Sequence, residues 1–155
     1  MSVSILIVDD HEIVRQGIRS LLQGRPQWKI CGEAGDGREA VRLAQELKPD
    51  AIILDVTMPV MGGLTAAHEI TKCNPACRVL IFTMHDSPTL GKFAQRSGAH
   101  GLVVKSQASR QLIKALEAVL SGETFFPSED EVRSSESQDV VTLVPKSPPR
   151  TNKTV

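Results

Sequence analysis

Aromatic residues are scarce, with no tyrosine, one tryptophan and four phenylalanines in 155 residues. An excess of either charge is also missing, because 18 Lys and Arg balance 18 Asp and Glu. General nucleic-acid binders draw their affinity largely from basic side chains on phosphates, so this balance argues against that class and against direct DNA binding by the chain. No apolar run approaches the roughly 18 residues that a membrane span requires. The apolar opening from Met1 to Val8 stops at Asp9-Asp10, with no basic start and no small-residue cleavage site, unlike a signal peptide. Cys31, Cys73 and Cys77 are odd in number and show no metal-ligand spacing, which suits a reducing, cytoplasmic setting. What the chain does have is 41% hydrophobic and 23% charged residues, enough for a packed core in one domain.

Composition shifts at Pro127. Residues 127–155 hold four of the nine prolines and no glycine, first acidic and then basic. They read as a polar Ser/Pro-rich tail or truncated linker, disordered in isolation. Val140 to Val144 alone has strand-like composition, and Pro145 follows it at once.

Residues 1–126 alternate two kinds of segment. Short runs rich in Ile, Val and Leu occur at Val3 to Val8, Trp28 to Ala34, Ala51 to Leu54, Val79 to Thr83 and Gly101 to Val104. They are too short for helices and lack polar alternation, as strands buried on both faces do. Between them lie helical periods, for example Ile13, Val14, Ile18, Leu21 and Leu22 on one face from about His11 to Gln23. A second helix stops before Pro49, a fourth runs over Thr89 to Ser97, and a fifth ends at Gly122. Five strands alternating with five helices predict an α/β domain with a doubly wound parallel sheet. Chemistry in such a sheet sits beyond the carboxyl ends of the strands.

At those ends stand Asp9 and Asp10, Asp55, Thr83 and Lys105. Singly, each has a plainer use: Asp10 is placed to cap the helix near His11, Asp55 suits a turn, Thr83 a strand and Lys105 a solvated surface. On one rim they form a constellation. Crowded carboxylates repel, and a hard cation such as Mg²⁺ relieves that repulsion while keeping water and phosphate oxygens in its shell. A carboxylate beside Mg²⁺, with an ammonium and a hydroxyl near, is equipped to accept a phosphoryl group. Asp55 is central and is the expected nucleophile. Asp10 is the expected direct metal ligand, Asp9 an outer one, and Thr57 a ligand through its backbone carbonyl. Lys105 is expected to meet the phosphoryl oxygens as a point charge.

The run Ile5 to His11, the stretch Asp55-Val56-Thr57-Met58-Pro59 with Gly62-Gly63-Leu64, Thr83 and Lys105 together resemble the receiver domain of two-component response regulators. The match covers about residues 3–126. It implies a flavodoxin-like (βα)5 fold with sheet order 2-1-3-4-5. It also implies Mg²⁺-dependent phosphoryl transfer to Asp55 from a sensor histidine kinase or phosphotransfer protein. Thr83 would then move toward the aspartyl phosphate and alter affinity for a downstream protein. Gly101 to Ser106, Leu112 to Leu116 and Gly122 to Phe126 resemble receivers fused to LuxR-type helix-turn-helix domains. Only 29 residues follow Phe126, so the effector domain is expected to be absent from this chain.

Departures from the family pattern mark further positions. Leu102 stands where receivers usually carry a Tyr or Phe that reports phosphorylation, and Gly63 stands where an Asp is common. His85, two residues after Thr83, is a candidate modulator of phosphoryl lifetime, acting on the attacking water. The other histidines, His11 included, read as surface or structural, and Gly35-Asp36-Gly37 reads as a turn with a helix cap. A phosphatase of the haloacid dehalogenase class would need a second Asp where Thr57 stands, so a turnover enzyme is not expected. The alternatives are the receiver part of a LuxR-like transcriptional regulator and a degenerate receiver used only for docking. A homodimer through helices 1 and 5, or through helices 4 and 5, is compatible with the pattern.

Overall fold

A computed structural model describes residues 2–85 and 87–127. The chain runs β1 (Val3–Val8), α1 (Glu12–Leu22), β2 (Trp28–Ala34), α2 (Gly37–Leu47), β3 (Ala51–Leu54), α3 (Gly63–Cys73), β4 (Arg78–Thr83), α4 (Pro88–Arg96), β5 (Gly101–Val104) and α5 (Ala108–Leu120). A short 3-10 turn over Lys105–Gln107 links the last two. All neighbouring strands are parallel, in the order β2-β1-β3-β4-β5. This is the flavodoxin-like doubly wound arrangement expected from the alternation. None of the helices is long and apolar enough to cross a membrane, among the described residues. The tail expected from residue 127 onward lies outside the described residues, apart from Pro127 itself.

The strands lack polar alternation because both faces of the sheet are covered. Every residue of β3 and β5 is buried. Ile5, Ile7, Ile53, Leu80, Phe82 and Val103 point to one side and pack with Ile18 and Leu22 of α1 and Leu112, Ala115 and Leu116 of α5. Leu6, Val8, Ile52, Leu54, Ile81 and Leu102 point to the other and meet small residues of α2, α3 and α4, among them Ala40, Ala44, Ala67 and Ala94. Alanines on those helices let the backbones sit close to the sheet while Ile and Leu fill the layer between them.

Local signals set where the helices begin and end. The Asp36 carboxylate accepts from the Glu39 N–H at 2.9 Å and starts α2, as its turn composition predicts. Lys48 takes a left-handed conformation with φ 47 and stops α2 ahead of Pro49. Ser87 caps α4 and Pro88 fills the first turn. After α5, Gly122 adopts φ +95 and turns the chain back along the sheet. Phe125 then bridges Gly101, donating to the His100 carbonyl and accepting from the Leu102 N–H at 2.8 Å. The outer edge of β5 is thereby covered rather than left open for pairing.

The cysteines are free. Cys77 is buried, and burial pushes its thiol up to about 12, which removes any thiolate chemistry at neutral pH. Cys73 is exposed at the end of α3.

Candidate functional site

Strand register brings the predicted residues together. Val8 pairs with Leu54, Leu54 with Ile81, and Thr83 with Val104, so the residues that follow emerge on one rim. The Asp55 N–H extends the ladder to the Val8 carbonyl at 3.0 Å, which sets Asp55 beside Asp9. Lys105 leaves β5 on the same side.

Asp9 is fully buried and both of its oxygens are engaged. Oδ1 accepts from the His11 N–H at 2.9 Å, and Oδ2 accepts from Lys105 Nζ at 2.6 Å. The first of these contacts corrects an expectation. The carboxylate at the entry to α1 belongs to Asp9; Asp10 caps nothing there, and His11 occupies the cap position without a side-chain cap bond. Asp10 is exposed on the rim, free to face a ligand.

Asp55 is 5% exposed. Its Oδ1 accepts from the Val56 N–H at 2.9 Å and lies 3.4 Å from Lys105 Nζ. Its Oδ2 accepts no hydrogen bond from a described residue. Burial, then the nearby Asp9 charge, raise the Asp55 pKa; the Lys105 ammonium and the Val56 N–H oppose that rise. Lys105 is 13% exposed and is the only cation bridging the two buried carboxylates among the described residues.

Thr83 is buried, and its hydroxyl oxygen accepts from the His85 N–H at 3.1 Å. The hydroxyl is thus tied to the β4–α4 loop. Asp10, His11, Asp55, Thr57, Thr83, His85 and Lys105 line one cavity of about 440 Å³, whose apolar wall is Ile13, Val14 and Met84. Leu102 is not among them. It is buried in the core layer facing α4, away from the cavity.

The β3–α3 loop that carries Thr57 is held from two sides. The Gly63 N–H donates to the Val56 carbonyl at 2.8 Å, and the Gly37 N–H donates to the Met61 carbonyl at 3.0 Å. A Cβ on Gly63 would stand 1.9 Å from the Asp55 carbonyl oxygen. The family resemblance allowed an Asp at this position, but no side chain fits there without moving Asp55. Val60, at the loop tip, takes φ 69, and the Met61 N–H closes a three-residue turn onto the Pro59 carbonyl at 2.7 Å.

Three features escaped the sequence. Arg15 reaches back from α1, its Nη1 donating to the Asp9 carbonyl at 2.6 Å and its Nε to Glu33 Oε1 at 2.9 Å. Glu12 and Arg19 complete this brace between α1 and β2. His11, read as a surface residue, sets Nδ1 3.0 Å from Asp10 Oδ1 and 3.3 Å from Asp9 Oδ1. Ile13 and Met84 stand 72% and 74% exposed at the cavity mouth. The signal for Arg15 and His11 lay in their spacing, directly after the acidic pair and one helical turn later.

The donors fit a hard divalent cation. Asp10 on the rim and Oδ2 of Asp55, unpartnered among the described residues, offer oxygens to one cavity, while Asp9, with both oxygens engaged, is left an indirect part. The same oxygens, with the Lys105 ammonium, form a setting for an added anionic oxygen group.

The family model of the response regulator receiver domain matches residues 5–117. Response regulator UvrY of Escherichia coli K12 is 32% identical over 127 residues, which cover 82% of this chain and 58% of that protein. The chain therefore spans well under two thirds of that relative's length. Among solved structures, a LuxR-family two-component response regulator from Aurantimonas sp. SI85-9A1 superposes with a TM-score of 0.79 at 38% identity, covering 90% of this chain and 99% of that one. The isolated receiver domain of RcsB from Salmonella enterica serovar Typhimurium, solved with the phosphomimetic BeF3⁻, gives 0.76 at 29% identity, covering 86% and 98%.

Proposed function

This chain belongs to the response regulator receiver family, and from that premise we propose that it is a phosphoryl-accepting switch with Asp55 as acceptor. The buried Asp55, paired on one oxygen and, among the described residues, open on the other, is the observation that carries this. A carboxylate oxygen of Asp55 attacks the phosphorus of a donor phosphohistidine. The new O–P bond forms as the P–N bond breaks, and the imidazole leaves with the electron pair. The donor is a sensor histidine kinase or a phosphotransfer protein. Asp10, Asp55 and the Thr57 carbonyl would hold Mg²⁺, with Asp9 behind them, and the ion would supply charge neutralisation at the phosphoryl oxygens.

The chain's own groups do the rest. Lys105 moves its ammonium between Asp9 and the incoming phosphoryl oxygen, a short distance given its two present contacts. Thr83 offers its hydroxyl proton to a phosphoryl oxygen. That turn of the hydroxyl disturbs its bond from the His85 N–H, so the charge event at Asp55 is passed to the β4–α4 loop. Leu102, aliphatic and buried, gives this coupling no aromatic partner to rotate. His85 borders the cavity where water would approach the acyl phosphate, consistent with a part in its lifetime. Residues 1–126 constitute the switch. In a longer protein it would govern an effector domain, and the LuxR-family likeness favours a transcriptional one.

Beryllofluoride titration tests this reading by amide NMR. Mg²⁺ and BeF3⁻ together are expected to shift the Thr83, His85 and Lys105 amides, with BeF3⁻ alone leaving them in place. Spectra unchanged with both present would overturn the assignment.

A further inference from the structure

The turn that carries the acidic pair is fastened on both sides of Asp9. Its N–H donates to the Ala34 carbonyl at 3.0 Å, and its own carbonyl accepts from Arg15 Nη1 at 2.6 Å. That carbonyl lies past the last residue of β1, and no backbone N–H reaches it among the described residues. The peptide unit is planar, so a fixed Asp9 carbonyl also fixes the Asp10 N–H and the direction in which Asp10 leaves the chain. Asp10 has little else to aim it. Its side chain meets only the His11 ring among the described residues, and that ring is itself 65% exposed. Arg15, in contrast, is firmly held. Its side chain is 19% exposed, its Nε donates to Glu33 Oε1 at 2.9 Å, and its Nη2 meets Glu12. One guanidinium thus ties α1 and the end of β2 to a backbone atom beside Asp10, a use of its planar fork that lysine cannot copy.

We propose that Arg15 is a positioning residue, which aims Asp10 into the cavity by holding the Asp9 carbonyl. This rests on the reading of the cavity as a cation site. The charge of Arg15 acts in the opposite sense to its position. A guanidinium near the carboxylates repels a dication, so its removal would by electrostatics alone tighten cation binding. Loss of position would weaken binding, as loss of groups that orient metal ligands does by about 10- to 100-fold. Arg19 separates the two effects. It carries the same charge and joins the same carboxylates, Glu12 and Glu33, from one turn further along α1. None of its bonds goes to the Asp9 carbonyl.

Amide NMR titration with Mg²⁺ tests this, on the full chain and on its Arg15→Gln and Arg19→Gln variants. The Mg²⁺ dissociation constant read from the Asp10 and Asp55 amides is expected to rise about tenfold in Arg15→Gln. In Arg19→Gln it should stay at the parent's value or fall. A merely bracing role predicts the same response in both variants, with urea midpoints lowered alike. Arg15→Lys keeps the charge and most of the stem, so it serves if Arg15→Gln does not fold. The dissociation constant is expected to rise there too. An unchanged or lower constant in the Arg15 variant that folds, or an equal rise in Arg19→Gln, overturns the proposal. A parent whose Asp10 and Asp55 amides do not respond to Mg²⁺ overturns it together with the cation-site reading, a pattern distinct from either.

Discussion

Gly63→Ala is expected to destabilise the protein by about 3 kcal/mol or more, far beyond the usual range for a surface substitution. The added methyl would stand 1.9 Å from the Asp55 carbonyl oxygen and 2.9 Å from Val56 Cα. Both atoms are backbone, so no rotamer change relieves the overlap. Either α3 moves away from the sheet or Asp55 is pushed out of register with Asp9. The second route also removes the cavity's chemistry, so BeF3⁻ binding should be lost in whatever fraction still folds. Gly91→Ala is the matched control, since a Cβ there meets nothing within 4 Å and lies within α4. That change should stabilise by up to about 1 kcal/mol, the helix-propensity difference. Urea unfolding of the two variants separates the cases, and a Gly63→Ala midpoint equal to the parent's would contradict the packing described for this loop.

Lys105→Met has the second large effect. It removes the ammonium that bridges Asp9 at 2.6 Å and Asp55 at 3.4 Å, leaving two buried carboxylates facing each other. Breaking a buried ion pair from one side costs about 3–5 kcal/mol. The pH dependence has a definite sign. Without Lys105, the Asp55 pKa, already raised by burial and by Asp9, rises further. A carboxyl whose folded pKa exceeds its unfolded value favours the fold below the unfolded value, and that contribution is lost as pH rises through the folded one. The Lys105→Met deficit should therefore shrink in mild acid and be largest at neutral pH. Phosphoryl acceptance should fall about 100-fold or more, as when one preorganised charge partner of a transition state is removed. Lys105→Arg should recover part of the stability. Parent-like stability and phosphorylation rate in Lys105→Met would remove Lys105 from the site.

The strands were legible because they are buried on both faces. Continuous Ile, Val and Leu at Val3 to Val8 and Gly101 to Val104 have no other explanation in segments that short, and the observed elements have those same bounds. Helix ends carried signals as local as Asp36 and Pro49. The rim was legible because each strand hands over directly to a polar residue. What escaped depends on side-chain reach. Nothing in the order Asp9-Asp10-His11 says which carboxylate turns inward to Lys105 and which stays exposed. That choice is made by a residue 96 positions away, through the Lys105–Asp9 bond. Arg15 was hidden for a similar reason: an arginine on a helix reads as a solvated charge until the distance to the Asp9 carbonyl is known. At Gly63 composition could not report that the neighbouring space is filled by backbone.

Intact-mass spectrometry after incubation with acetyl phosphate and Mg²⁺, on the parent chain and on Asp55→Asn, tests the central claim most directly. The expected result is one added phosphoryl group in the parent, lost on chelation of Mg²⁺ before the incubation, and none in Asp55→Asn. The same adduct in Asp55→Asn would show that another residue is the acceptor. Absence of adduct in a parent that also fails to bind BeF3⁻ would leave a receiver fold used for docking alone.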